Sequence, residues 1–364
     1  MCLWPSFVSN QGHVRLRGNL LLRAAAMLAV VAPLQAAQNS SAQIASKGDQ
    51  IILLGTHGGP SLEKERSEPA SLLVVDGRPY LIDSGIGTMR RLLDAGVPSE
   101  TIGAIFITHD HPDHALGLAD VMSNDFFAVD FGSRDSLSKF YIYGPPPTKE
   151  LVNAAYNYIR IPFGIFAAEQ LGASTPADPF VVQVIDHDGL VYQDDKIRVT
   201  AAENTHFQLM PPKYRARMKS YSYRFDTPYG AIVFTGDTGP SEALERLAKG
   251  ADALVSEVED LAAATSTQST SSGTDRRPGG NANALAEHME KEHLPMKALG
   301  ETASKAQVKA VILHHLIGQE PGNYFVASVK RYYSGPVFAG ADLERYCLGT
   351  MGREVSTRAL APCR

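Results

Sequence analysis

Six consecutive residues, His109-Asp110-His111-Pro112-Asp113-His114, put three imidazoles and two carboxylates into one short stretch. Directly before them runs Ala104-Ile105-Phe106-Ile107-Thr108, the pattern of a buried strand. A loop leaving a strand end projects alternate side chains into one pocket. His109 and His111, two apart, can share one metal ion, and the adjacent Asp113 and His114 can turn toward a second. Imidazole and carboxylate suit zinc and similar divalent metals. A lone histidine is ordinarily a satisfied core or surface residue; this cluster has no comparable structural explanation. Further candidates stand at other strand ends. Glu203-Asn204-Thr205-His206 follows Ile197–Ala201, Thr235-Gly236-Asp237-Thr238-Gly239 follows Ala231–Phe234, and His314-His315 closes Ala310–Leu313. Each alone is ordinary, but together with the cluster they supply enough ligands for two metals. Water on zinc loses a proton near neutral pH, against about 15.7 in bulk, and a hydroxide bridging two ions roughly 3.5–4 Å apart is a ready nucleophile. No protein nucleophile is then needed, and the sequence has no Gly-x-Ser-x-Gly elbow.

The elements that must position these residues are short. Apolar or β-branched runs such as Ile51–Leu54, Leu72–Val75, Tyr80–Ile82, Ala104–Ile107, Tyr221–Phe225 and Ala253–Ser256 read as strands. Helical periodicity covers Met89–Ala95, Lys149–Ile159, Ser241–Ala248, Ala284–His293, Lys297–Ala306 and Tyr324–Tyr333. Strands in groups with helices between them predict two sheets with helices outside, a four-layer α/β arrangement. The Ser/Thr/Gly-rich stretch 262–283 cannot bury a face and reads as a flexible loop, either a lid or a plain solvated insertion.

The chain has 364 residues, 44% hydrophobic and 20% charged, which excludes a disordered, collagen-like or polytopic membrane protein. Its net charge of −5 gives no global attraction for nucleic acid, so an anionic ligand must meet a local patch or a metal. Arg15, Arg17 and Arg23 lead into an apolar run over Ala24–Leu34, followed by Ala36 and Ala37. Residues 1–37 therefore read as a secretory signal, with an anchor or buried helix as the alternative, and the run is too short for a stable membrane span. The expected location is periplasmic or secreted. The main domain is set at 48–345 and a C-terminal tail at 346–364. Cys347 and Cys363 lie in or beside that tail, either paired in an oxidising compartment or as two free thiols.

The intact His109, His111, Asp113, His114 pattern resembles the HxHxDH motif of the metallo-β-lactamase superfamily, whose fold is an αββα sandwich. Within it the chain is similar to the ribonuclease Z and arylsulfatase-like branch. The supporting matches are Gly55-Thr56, Leu81-Ile82-Asp83-Ser84-Gly85, Phe234-Thr235-Gly236-Asp237-Thr238-Gly239-Pro240 and Leu247-Ala248-Lys249-Gly250-Ala251-Asp252. The resemblance spans about residues 50–341. It implies two divalent ions, zinc above all. One would be held by His109, His111 and His206, the other by Asp113, His114 and His315, with Asp237 bridging. His315 matches the family histidine better than His314, and Asp83 would orient a ligand histidine or the loop. Leu254-Val255-Ser256-Glu257 resembles the family's HEAT-like segment with Ser256 in place of its His. Glu257 would orient His293, which protonates the leaving oxygen; Asp113, Glu257 and His293 form the implied catalytic group. His293 is followed by Leu294-Pro295 rather than small polar residues, so a helix-end histidine near the C-terminal dipole is its alternative reading.

The expected function is a dinuclear metal hydrolase of a phosphodiester or sulfate ester. A β-lactam or lactone hydrolase is the alternative on the same scaffold, and a non-catalytic metal-binding protein the third. The expected partner is a small anionic or ester substrate, and the chain could form a homodimer. Transfer RNA is not expected: only about 30 residues separate His206 from Asp237, where family enzymes acting on it carry a long arm. The basic segment Lys213-Tyr214-Arg215-Ala216-Arg217-Met218-Lys219 either meets an anionic head group or is a solvated loop. Phe126-Phe127 and the region Lys149–Leu171 either wall the pocket or pack as core.

Overall fold

In a strand, alternate side chains face opposite sides of the sheet, so a strand that is apolar at every position must be covered on both faces. The computed structural model describes residues 48–59, 61–130, 139–169, 178–260, 282–318, 320–348 and 360–363. The expected leader and nearly all of the 262–283 loop lie outside the described residues. A first sheet takes β1 (Asp49–Gly55), β2 (Ala70–Val75), β3 (Arg78–Ile82), β4 (Ile105–Phe106), β5 (Phe140–Gly144) and β6 (Phe180–Val184) in that spatial order. A second sheet holds β7 (Gly189–Gln193), β8 (Arg198–Glu203), β9 (Tyr221–Asp226), β10 (Ala231–Phe234), β11 (Ala253–Glu259), β12 (Val311–Ile317) and β13 (Val337–Ala339), again in chain order across the sheet. The chain then returns to the first sheet: β14 (Arg345–Leu348) pairs with β1, and β15 (Ala361–Pro362) lies outside it. Both sheets are mixed. β3 through β6 run parallel while β1, β2 and β14 are antiparallel neighbours; β10 through β13 run parallel while β7, β8 and β9 meander.

Period-two alternation sorts the core into three slabs. Ile51, Leu53, Leu73 and Val75 meet Val199, Tyr221, Phe225, Ile232 and Phe234 between the sheets. Their alternates Ile52, Leu54, Leu72 and Val74 face the helices Thr88–Asp94, Leu118–Asp130 and Pro147–Ala168. Val233, Leu254 and Val311 face the helices Glu242–Leu247, Met296–Lys305 and Gly322–Val329. The order helix, sheet, sheet, helix is the αββα sandwich expected. The burial of about 25 cal/mol per Å² of apolar surface is what holds it together.

Two element bounds differ from the sequence reading for identifiable reasons. The helix expected at Lys149–Ile159 runs from Pro147 to Ala168, straight through Pro162. Proline removes a helical hydrogen bond; Phe163, the next residue, packs against Phe126 with ring centroids 4.8 Å apart. Phe126 is thus core while its neighbour Phe127 is exposed. The strand expected to end at Leu313 continues to Ile317, carrying His314 and His315 inside it. Among the described residues no helix is long and apolar enough to cross a membrane.

Candidate metal centre

The loop after β4 is built to hold its side chains still. Asp83 at the end of β3 sits at φ 58°, a conformation a β-carbon disfavours, and its carboxylate reaches across to the loop. Its Oδ1 accepts from the Thr108 backbone N–H at 2.7 Å, its Oδ2 lies 2.9 Å from His114 Nδ1, and both oxygens accept from the Thr108 hydroxyl. That hydroxyl is 3.1 Å from His109 Nδ1. One buried carboxylate therefore orients two imidazoles and leaves each with a free Nε2, the arrangement that gives a metal ligand a fixed tautomer. His111 ends the loop, and Pro112 at the first helical position starts the one-turn helix Pro112–Ala115 that carries Asp113 and His114. Asp113 Oδ2 also accepts from the Gly59 N–H at 3.2 Å.

The second sheet brings the remaining residues. His206 follows β8, with its N–H held by Asn204 Oδ1 and its Nδ1 2.9 Å from the carbonyl of Glu292. Asp237 follows β10. His315 lies in β12 at φ 44°, where one residue of β11, Glu257, opposes two of β12, His314 and His315, between the pairs Ser256–Leu313 and Val258–Leu316. Such a bulge re-aims side chains next to functional sites, and here it separates the neighbours: His315 turns to the loop histidines while His314 contacts Ser71 at 3.2 Å.

Two clusters result, His109, His111, His206 and Asp237 in one and Asp113, His114 and His315 in the other, the ligating atoms of each within 4.8 Å of one another. Asp237 divides between them. Its Oδ1 is 3.2 Å from His114 Nε2 and 3.3 Å from His315 Nε2; its Oδ2 is 3.9 Å from His109 Nε2 and 4.0 Å from His206 Nε2. His206 Nε2 and His111 Nδ1 are 3.0 Å apart, and His315 Nε2 is 3.4 Å from Asp113 Oδ2. The Nε2 atoms of His109 and His114 and Oδ1 of Asp237 are buried without a hydrogen-bond partner among the described residues. A buried polar atom left unpaired costs about 1–3 kcal/mol. Several converging on one place is the signature of a cation, and the N/O donor set is that of zinc. The residues thus form a buried His/Asp metal site.

Electrostatics agree. Burial keeps His109, His111 and His206 below the usual histidine range, so they stand as neutral ligands. Burial opposes charge on His114 as well, but Asp237, Asp113 and Asp83 carry it well above that range. Burial likewise opposes ionisation of Asp237, yet His315 and His114 hold it far below the usual carboxylate range. Asp110, the remaining carboxylate of the motif, turns away to the Thr148 hydroxyl at 2.9 Å and is pushed up to about 7 by burial.

Beside the clusters, His293 Nδ1 lies 2.6 Å from Glu257 Oε2 and 3.9 Å from Asp237 Oδ2. Glu257 accepts also from the Thr238 N–H, and burial followed by the Asp237 charge pushes it well above the usual range. Glu257 also gathers with Asp237 and His315. The sequence reading missed two neighbours. His288 Nδ1 is 2.5 Å from Glu292 Oε2, and its ring centroid lies 5.0 Å from that of His293. The signal was their i, i+4 spacing on a helix. Glu259, two residues past Glu257, is buried with neither oxygen partnered among the described residues and is pushed up to about 8 by burial.

A sequence profile described as "Beta-lactamase superfamily domain" matches residues 78–316. The chain is 29% identical over 304 residues to the protein named ribonuclease Z of Mycolicibacterium paratuberculosis, covering 81% of this chain and 97% of that one. Its fold is similar to the metallo-beta-lactamase fold protein YhfI from Bacillus subtilis, with a TM-score of 0.58 at 17% identity, over 83% of this chain and 99% of the other. It is similar too to human tRNase Z, short form, with a TM-score of 0.54 at 19% identity, over 81% and 98%. Sheet order, histidine loop and profile agree: the chain belongs to the metallo-β-lactamase superfamily.

Proposed function

We propose that this metal-dependent hydrolase cleaves phosphodiesters at a dinuclear zinc centre. The observation that carries the reading is Asp237 shared between two ligand clusters, with a carboxylate-held imidazole alongside. His109, His111 and His206 would hold one ion, Asp113, His114 and His315 the other, and Asp237 both. When bound, the two cations supply an activated water and neutralise charge on the attacked ester. The chain's own residues do the rest. Asp83 and Thr108 fix the loop imidazoles. Glu257 holds Nδ1 of His293, which leaves the opposite nitrogen, Nε2, to hand a proton to the departing oxygen. A departing oxygen that no metal holds needs that proton, whereas a β-lactam nitrogen or lactone oxygen held at a metal needs it less, which ranks the lactamase and lactonase readings second. A sulfate ester would use the same groups.

The likeness to proteins named ribonuclease Z supports a nucleic-acid phosphodiester. The segment between His206 and Asp237 supports a substrate other than transfer RNA: it holds a one-turn helix, Pro212–Arg215, and the β9–β10 hairpin. Export is part of the proposal, and the Cys347–Cys363 disulfide supports an oxidising compartment. The test uses metal-quantified protein on bis(p-nitrophenyl) phosphate, p-nitrophenyl sulfate, nitrocefin, a lactone and a precursor transfer RNA. Diester turnover that a chelator abolishes and zinc restores is expected. Turnover of nitrocefin or the lactone alone refutes the reading, and clearly less than two ions per chain in an inactive protein revives a non-catalytic role.

A further inference from the structure

Glu292 is buried at the C-terminal end of the helix Ala282–Glu292 and makes three different connections. Its carbonyl meets Nδ1 of His206 at 2.9 Å, its Oε1 accepts from the Leu209 N–H at 2.7 Å, and its Oε2 lies 2.5 Å from Nδ1 of His288. One residue thereby ties a candidate metal ligand, the loop that leads into the basic segment 213–219, and a second imidazole. A further bond from the Gln208 amide to the Lys291 carbonyl ties the same loop to the same helix end. Arg215 in turn reaches the Gln208 carbonyl at 3.4 Å.

His288 repeats, one helical turn earlier, the device seen at His293. A buried carboxylate takes Nδ1, so Nε2 is the nitrogen left over. The difference is exposure: the His293 side chain is 7% exposed and that of His288 34%. The rings meet edge to face at 85°, and His288 lies 5.9 Å from the His206 ring. A carboxylate partner fixes the orientation of an imidazole and leaves its other nitrogen to face a ligand. An imidazole so held, half open to solvent beside the proton donor, is suited to an anionic oxygen.

We propose that His288, positioned by Glu292, is a substrate-contacting residue that binds an anionic group on the leaving side of the scissile bond. The inference rests on the diesterase reading above. It adds that the preferred leaving group carries charge of its own beyond the departing oxygen, as a nucleotide within a strand does and a nitrophenol does not.

The experiment compares two diesters on metal-quantified wild type, His288→Ala and His288→Gln. One is bis(p-nitrophenyl) phosphate; the other is a thymidine dinucleotide phosphorylated at both ends, with cleavage of its internal bond followed by chromatography. The expected result for His288→Ala is a fall of about tenfold in kcat/KM on the dinucleotide, mainly through KM, and only about twofold on the nitrophenyl ester. His288→Gln, which keeps a donor near the Nε2 position, should recover part of the loss, and metal content should stay at the wild-type level. Equal losses on both diesters, or loss of metal in both variants, overturn the inference and leave His288 a packing residue. A metal-loaded wild type idle on both diesters overturns the diesterase reading itself, and this inference with it.

Discussion

Asp237 and His293 lie within 3.9 Å of each other, yet the two side chains are built for separate work. Both oxygens of Asp237 face imidazole nitrogens, and Oδ1 has no hydrogen-bond partner among the described residues. Asp237→Ala should therefore lower metal content and activity together, by more than about a hundredfold in activity, given that even outlying metal contacts are worth 10–100-fold. A fully loaded, active variant would remove Asp237 from the bridging role. His293 instead rests on Glu257, outside both ligand clusters. His293→Ala should keep its metal and lose about 10²–10⁴ in kcat, the usual worth of a proton donor. Metal analysis beside steady-state kinetics separates the two cases.

At the scale of elements, the helix Ala282–Glu292 must press against the turn after β10 for His288, Glu292 and His293 to reach the site. Gly239 makes that approach possible. A β-carbon there would stand 1.6 Å from the Lys291 carbonyl oxygen, closer than any contact the backbone can keep. Gly239→Ala should therefore cost about 1–3 kcal/mol in urea unfolding as the helix end is pushed away. It should also lower kcat more than a distant variant of equal stability. Unchanged kinetics would show that the helix end does not need this seat. The β11–β12 bulge acts on the same scale, since it decides which of two adjacent histidines faces the candidate metal site.

Across the whole molecule the ligands come from both halves of the sandwich. His109, His111, Asp113 and His114 follow β4 of the first sheet; His206, Asp237 and His315 belong to the second. Ions bound there would clamp the edges of two sheets that are also joined by the apolar slab between them and by polar contacts such as Tyr223 Oη to the Ile107 carbonyl and Arg78 to Asp194. A ligand present at a thousand times its Kd stabilises by about 4 kcal/mol, so chelation should lower Tm by on the order of 10 °C. A Tm that ignores chelator would mean that the cations contribute nothing to holding the sheets. The disulfide Cys347–Cys363 secures β15 against β14, which pairs with β1.

Much of this was legible in the chain itself. The strand pattern before His109, the spacing of the loop ligands and the strand-end positions of His206 and Asp237 are local features, and local features survive in sequence. The four-layer order was legible as well, because period-two alternation declares which faces must be covered. What the sequence could not declare is set by contacts between segments far apart along the chain. The resemblance already favoured His315 over His314, but the cause lies in the packing: a register shift between β11 and β12 turns His315 inward and leaves His314 beside Ser71. Only the approach of a helix end 86 residues downstream supplies the carbonyl that holds His206. The helix that crosses Pro162 sets Phe163 against Phe126 of another helix, a contact no local pattern announces. Residue types settled the chemistry that was available; the tertiary structure decided which atoms are left without partners, because burial and close approach exist only once the sheets are packed.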